Sequence, residues 1–362
     1  MKTIVTFGEI MCRLAAPGNL RLRQTRELVL TYAGAEASVA ASICNFGGTA
    51  RFVTALPKHA LAEATMDILR SVGIDTRYIL RTETGRLGLY FLETGANQRP
   101  SHVLYDRADS AIAITPANQY DWETILDGAK WLHLSGITPA LSRIAAEATL
   151  VAARKAKAAG VNVSIDLNFR KKLWQWDSAK PAGQLAGDTM RGILPFVDVV
   201  IANEEDCADV LGIQAEDTDV QAGTLNTARY PEVARQVVSQ FPNVRKVAIT
   251  LRESLSATHN NWGGMLYDAE LDEAYFAPLD NAGNYQPYQI KNIVDRVGGG
   301  DAFAGGLIFA LTTPGLSELQ TAVKFAVAAS CLKHSIQGDF NFSTRAEVES
   351  LMGGSSSGRV VR

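Results

Sequence analysis

The run Asp295-Arg296-Val297-Gly298-Gly299-Gly300-Asp301 leads straight into Ala302–Leu311, an apolar segment of helical character. Three glycines leave their backbone N–H groups uncovered, and a helix start adds partial positive charge, so this turn can bind an anion. Asp301 lies in the first helical turn, within reach of whatever those amides hold. Phosphoryl transfer needs this pairing: donors for the charge on the moving group, and a carboxylate that takes a proton from the attacking hydroxyl. Three glycines alone equally describe a plain turn with Asp301 as helix N-cap. The chain has no G-x-x-x-x-G-K-[ST] and no well-placed G-x-G-x-x-G, so neither a Walker-type site nor a dinucleotide fold is supported.

A guanidinium fork matches a carboxylate in bidentate fashion, so two arginines on separate segments could fix both its ends. Either one alone would read as an ordinary ion pair. The histidines are weaker leads: His133 sits in an apolar run and reads as a core residue, and no pair has metal-ligand spacing. Cys12, Cys44, Cys207 and Cys331 are far apart and form no C-x-x-C pair, which suggests free thiols in a reducing compartment.

The elements that must position these groups follow from hydrophobic patterning. Thr3–Phe7, Arg51–Ala55, Trp131–Leu134, Val161–Ile165, Val197–Ala202 and Val244–Thr250 read as buried strands. Helical stripes lie between them: Ala37, Ala40, Ala41 and Cys44, closed by Gly47-Gly48, then Leu61, Ala64 and Ile68, ending near Gly73. The alternation predicts an α/β fold with a mostly parallel sheet and helices on both faces, its ligands beyond the carboxyl ends of the strands. Segments 10–32 and 86–108 break the rhythm and read as a small projecting sheet, a candidate lid, with a hairpin around Gly95–Pro100. Leu255–Gln289 reads as irregular, with Asn260-Asn261-Trp262-Gly263-Gly264 as a turn. One domain is expected over 1–350, with a flexible tail over 351–362.

The 362 residues are ample for a large core, and 47% hydrophobic with 20% charged describes an ordinary globular chain. The net charge of −3 gives no global attraction to nucleic acid or anionic membrane. No run approaches a membrane span and the start reads as a strand, so a cytoplasmic protein is expected.

The D-x-x-G-x-G-D-A-F pattern around Gly298–Asp301 resembles the second signature of the ribokinase-like (PfkB) carbohydrate kinases. The resemblance extends to Gly8-Glu9, Gly34-Ala35-Glu36-Ala37 and Asn203-Glu204-Glu205-Asp206, and so spans nearly the whole chain. Within the family, Leu132–Ser142, Asp166–Arg170 and Leu104–Arg107 are similar to segments of the 2-keto-3-deoxygluconate kinases.

The resemblance implies a three-layer α/β/α fold with a β-sheet lid, and ATP-dependent phosphorylation of the C6 hydroxyl of 2-keto-3-deoxygluconate. It implies Asp301 as base, with the amides of Gly298, Gly299 and Gly300 as anion hole. Gly34 would let the sugar lie against bare backbone. Tyr90, Tyr105 and Asn168 would contact the sugar, and Arg107 and Arg170 its carboxylate. Asn203, Thr250 and Arg252, with Gly298 and Gly300, would meet the nucleotide. Magnesium would be served through water by Glu205 or Asp206, the shorter Asp206 standing where the family's N-x-x-E motif has its glutamate. The alternatives are a kinase of a neutral sugar such as fructose or ribose, or of an epimeric deoxy sugar acid, and a silent sugar- or nucleotide-binding regulator. Unpaired edges on an exposed lid lead to the expectation of a homodimer or higher homo-oligomer.

Overall fold

The computed structural model describes residues 2–203, 205–214 and 229–354. Its central sheet has nine strands. In spatial order these are Glu273–Ala277, His259–Asp268, Lys246–Ser256, Val199–Ala202, Asn162–Asp166, Ala129–Ser135, Thr3–Phe7 and Thr49–Val53, with Tyr288–Ile290 also pairing with His259–Asp268. The six strands from Lys246–Ser256 to Thr49–Val53 are parallel, and the remainder form an antiparallel edge.

Burial on both faces explains why the parallel strands read as continuous apolar runs. Neighbouring residues go to opposite cores: Ile4, Ile201 and Ala248 pack on one side, Val5, Val200 and Ile249 on the other. Helices Ala35–Asn45, Gly299–Thr312 and Leu319–Lys333 cover the first face, and Arg143–Ala158, Ala182–Ile193 and Tyr230–Gln240 the second. Three layers result, as expected.

A separate sheet of four strands is drawn from the two irregular segments, in the order Val29–Ala33, Met11–Ala15, Gly88–Glu93, His102–Asp106. The last two form the hairpin read around Gly95–Pro100. Side-chain alternation divides its faces. Met11, Tyr90, Leu92 and Val103 pack inward. Leu30, Leu14, Phe91 and Leu104 stand in register across all four strands on the outer face.

Two expectations fail. The helix Ala60–Ser71 is present, but Ala62, Thr65, Met66 and Leu69 face the core while Leu61 and Ile68 are exposed. The helix carries large apolar residues on both faces, so Leu61 and Ile68 by themselves marked the wrong one. Asn260–Gly264 is no turn: it lies inside the long strand His259–Asp268. Its two glycines admit close neighbours, since a Cβ on Gly263 would lie 2.2 Å from the Tyr285 hydroxyl and one on Gly264 2.9 Å from the Phe303 ring. The last helix runs from Arg345 to Met352, and the rest of the tail beyond Gly354 lies outside the described residues.

Candidate active site

Beyond the carboxyl ends of the parallel strands, under the inner face of the small sheet, lies a cleft of about 310 Å³. At its floor, Gly298 takes a left-handed backbone (φ 83°) and caps the helix Gly299–Thr312. A Cβ there would lie 2.2 Å from the Asp339 carbonyl oxygen, so both backbone angle and space require glycine. The first intrahelical bond runs from the Ala302 N–H to the Gly298 carbonyl (2.9 Å). The amides of Gly299, Gly300 and Asp301 precede that bond, and such groups at a helix start lack an intrahelical acceptor.

Asp301 lines the cleft and keeps partial exposure. Its carboxyl is pushed up to about 7, first by burial and then by the negative charges of Asp339 and Glu36, against Arg170 and Lys333. Glu36 lies in the first turn of helix Ala35–Asn45, where its Oε1 accepts from the hydroxyls of Ser135 (2.6 Å) and Thr138 (2.9 Å).

The cleft gathers nearly every residue singled out from the sequence: Gly34, Tyr90, Tyr105, Arg107, Asn168, Arg170, Asn203, Asp206, Thr250, Arg252 and Gly298–Asp301 all line it. Their local settings differ from the expectations in several ways. A Cβ on Gly34 would lie 2.0 Å from the Glu9 carbonyl oxygen, so the backbone behind it already demands glycine, whatever ligand lies in front. Tyr90 is buried, and its hydroxyl donates to Asp339 at 2.9 Å. Tyr105 packs its ring 6.3 Å from that of Tyr90, and the Arg107 guanidinium stands 5.4 Å above it.

The two arginines are not equivalent. Arg107 is buried and held by Glu9. Arg170 is exposed, and the bond found for its guanidinium is to the neighbouring Phe169 carbonyl (3.1 Å). Asn168 adopts a left-handed backbone (φ 39°), its N–H donating to Asp166 Oδ1 (3.1 Å). Its side-chain oxygen is buried without a partner, a vacancy that a hydroxyl donor would fill.

The acids near the strand ends decide what a metal would find. Glu205 is exposed and stands off the cleft wall, and Glu204 lies outside the described residues. Asp206 lines the cleft, its oxygens accepting the N–H groups of Phe169 (3.0 Å) and Asn203 (3.1 Å). Asp166, at the end of the strand Asn162–Asp166, lines it too. Burial raises its carboxyl well above the usual range, with the charges of Asp206 and Asp301 adding to the push. Crowded carboxylates of this kind fit a divalent cation. Yet no group of three or more His, Cys, Asp or Glu placed to hold a metal occurs among the described residues, so such an ion would be held mainly by phosphate oxygens and water.

Two buried histidines are neutral at pH 7. His133 is a core residue hydrogen-bonded to Ser164 (2.9 Å). His334 lines the cleft, but burial pushes it down to about 4, so it is neutral at pH 7. All four cysteines are free thiols. No helix among the described residues is long and apolar enough to cross a membrane.

Known proteins match this chain over nearly its whole length. The model of the pfkB family carbohydrate kinases matches residues 1–240 and 272–343. The crystal structure of 2-dehydro-3-deoxygluconokinase from Thermotoga maritima superposes with a TM-score of 0.88 at 44% identity, covering 98% of this chain and 100% of that one. The 2-dehydro-3-deoxygalactonokinase of Haloferax volcanii is 30% identical over 98% of both chains. The 2-dehydro-3-deoxygluconokinase of Bacillus subtilis is 24% identical over 96% of this chain and 97% of its own. With the three-layer fold, the separate small sheet and the glycine turn before Asp301, these matches establish that the chain belongs to the pfkB family of carbohydrate kinases.

Proposed function

We propose that the protein transfers the γ-phosphoryl group of ATP to the C6 hydroxyl of 2-keto-3-deoxygluconate (2-dehydro-3-deoxy-D-gluconate), with Asp301 as the base. The observation that carries this reading is the placement of Asp301, poised near pH 7, beside the free amides of a helix start in the cleft that also holds Arg170. The carboxylate takes the hydroxyl proton as the sugar oxygen bonds to the γ-phosphorus and the bond to the β,γ-bridging oxygen breaks, releasing ADP. The amides of the glycine turn stabilise the charge on the transferred group. Magnesium, when bound, neutralises the triphosphate, and Asp206 and Asp166 would hold its water shell.

Arg170 anchors the substrate carboxylate at the far end from Asp301, with Arg107 lending field from its pair with Glu9. The unpartnered Asn168 oxygen takes a sugar hydroxyl, and Tyr90 and Tyr105 present ring faces from the small sheet. Asn203, just past the strand Val199–Ala202, and Thr250 and Arg252, midway along Lys246–Ser256, line the cleft and would meet the nucleotide. The small sheet acts as a lid that excludes water, so that ATP is not simply hydrolysed.

The lid also serves assembly. Its outer row of Leu30, Leu14, Phe91 and Leu104, in which Leu104 is 60% exposed, suits pairing with a second copy.

The relatives include kinases named for both the gluconate and the galactonate acid. A panel of both acids, fructose and ribose, followed by ADP release with ATP and magnesium, tests the reading. Turnover highest on 2-keto-3-deoxygluconate supports it. Preference for a neutral sugar overturns the acid assignment, and binding without turnover on every sugar overturns the catalytic one.

A further inference from the structure

Arg13 does not line the cleft, yet it is tied to the segments on both sides of the glycine turn. It lies in the lid strand Met11–Ala15 and is only 3% exposed. Its Nη2 donates to Asp295 Oδ2 and its Nη1 to Asp339 Oδ1, each at 2.5 Å. Asp295 opens the segment leading into the turn, where its Oδ1 accepts the Val297 N–H and its Oδ2 the Gly338 N–H, both at 3.1 Å. Asp339 presses its backbone carbonyl against Gly298. The cross-strand neighbour of Arg13 is Tyr90, whose hydroxyl binds both oxygens of the same Asp339.

One guanidinium thus joins three segments that are distant in sequence: a lid strand, the start of the glycine turn and the loop beneath it. A planar fork can bind two carboxylates in fixed relative positions, which a lysine point charge cannot do. Burial makes the arrangement all-or-none, since removing the cation leaves two carboxylates facing each other out of water. Lys333 is also fully buried and donates to the Ile336 carbonyl (3.1 Å), adding positive field near Asp295 and Asp339.

We propose that Arg13 is a positioning residue for catalysis: it locks the lid to the glycine turn, so that the amides reach the transferred phosphoryl only while the lid is seated. This rests on the reading of Gly298–Asp301 as the reacting centre. Arg13 itself does not line the cleft and reaches it through Asp339, which also holds Tyr90, so its loss acts chiefly on turnover, with only a small effect on sugar affinity passed through Tyr90.

The test compares Arg13→Met, Arg13→Lys, Arg13→Ala and Asp301→Asn, measuring kcat, sugar affinity by calorimetry, and rescue of Arg13→Ala by millimolar guanidinium. Arg13→Met is expected to lower kcat about 100-fold or more, on the scale of losing an oxyanion donor, with sugar affinity within about threefold. Lysine restores a minor part, and guanidinium raises the kcat of Arg13→Ala severalfold without effect on Asp301→Asn. Should Arg13→Met not fold, the triple variant R13M/D295N/D339N, which leaves no buried charge unpaired, carries the same expectation. A kcat within threefold of the parent in either folded variant, or a loss confined to sugar affinity, overturns the proposal. Near-normal turnover in Asp301→Asn instead sinks the reading on which it rests.

Discussion

The Arg107 guanidinium and the Glu9 carboxylate form a buried pair in which Nε and Nη2 converge on one oxygen, Oε2, at 2.6 and 2.5 Å. The other Glu9 oxygen has no partner. Arg107 is therefore committed to the protein before any substrate arrives, whereas Arg170 has no carboxylate partner among the described residues.

The two arginines should separate under mutation. Arg170→Gln is expected to raise KM for the sugar acid about 10- to 100-fold, the worth of one charged hydrogen-bonded contact, with little change for a neutral sugar. Arg107→Gln strands Glu9 and should cost about 3–5 kcal/mol of stability in urea unfolding, much of it recovered in the E9Q/R107Q double variant. Equal losses on acid and neutral sugars with Arg170→Gln would refute the carboxylate role.

Replacing Asp301 by Asn should cut kcat by about 10²–10⁴-fold, the usual worth of a general base, with sugar affinity retained in calorimetry. Because its carboxyl is raised to about 7, the working form predominates only above that pH. The parent kcat/KM should fall about tenfold per pH unit below about 7 and level off above it. The stability sign is opposite. A raised carboxyl binds more protons folded than unfolded, so its charge destabilises the fold progressively from its ordinary range up to about pH 7. Asp301→Asn should therefore raise Tm relative to the parent more at pH 8 than at pH 5.

Gly298→Ala introduces a Cβ where the Asp339 carbonyl stands, at a positive φ. The turn must shift, and kcat should fall about 100-fold, comparable to losing one oxyanion donor, while sugar affinity changes little. Full activity would show that the turn's geometry is immaterial.

The outer lid row should govern assembly. L30D/L104D is expected to convert a dimer to monomer by sedimentation while leaving the core intact, since both side chains are exposed in the single chain. An unchanged oligomer, or a parent that is monomeric, would exclude this face.

The glycine turn, the parallel strands and the two lid segments were legible in the sequence because each is specified by neighbours in the chain. Three glycines before a helix need no distant partner, and a strand buried on both faces needs only a run of apolar residues. Local signals misled where the partner was remote. Gly263 and Gly264 read as a turn, but they are glycines because Tyr285 and Phe303 pack against the strand from elsewhere. Leu61 and Ile68 marked a helix and the wrong face of it.

The residue types in the cleft, Asp301 above all, were thus fixed by the chain, together with the class of chemistry they permit. Their states were not. Whether Arg107 was free or held by Glu9, whether Glu205 or Asp206 met the cleft, and that Arg13 binds Asp295 and Asp339 across 282 and 326 residues of sequence were decided by tertiary structure alone. Charge, burial and hydrogen bonding belong to pairs, and pairing between distant segments exists only once the sheet and its lid have closed over one cleft.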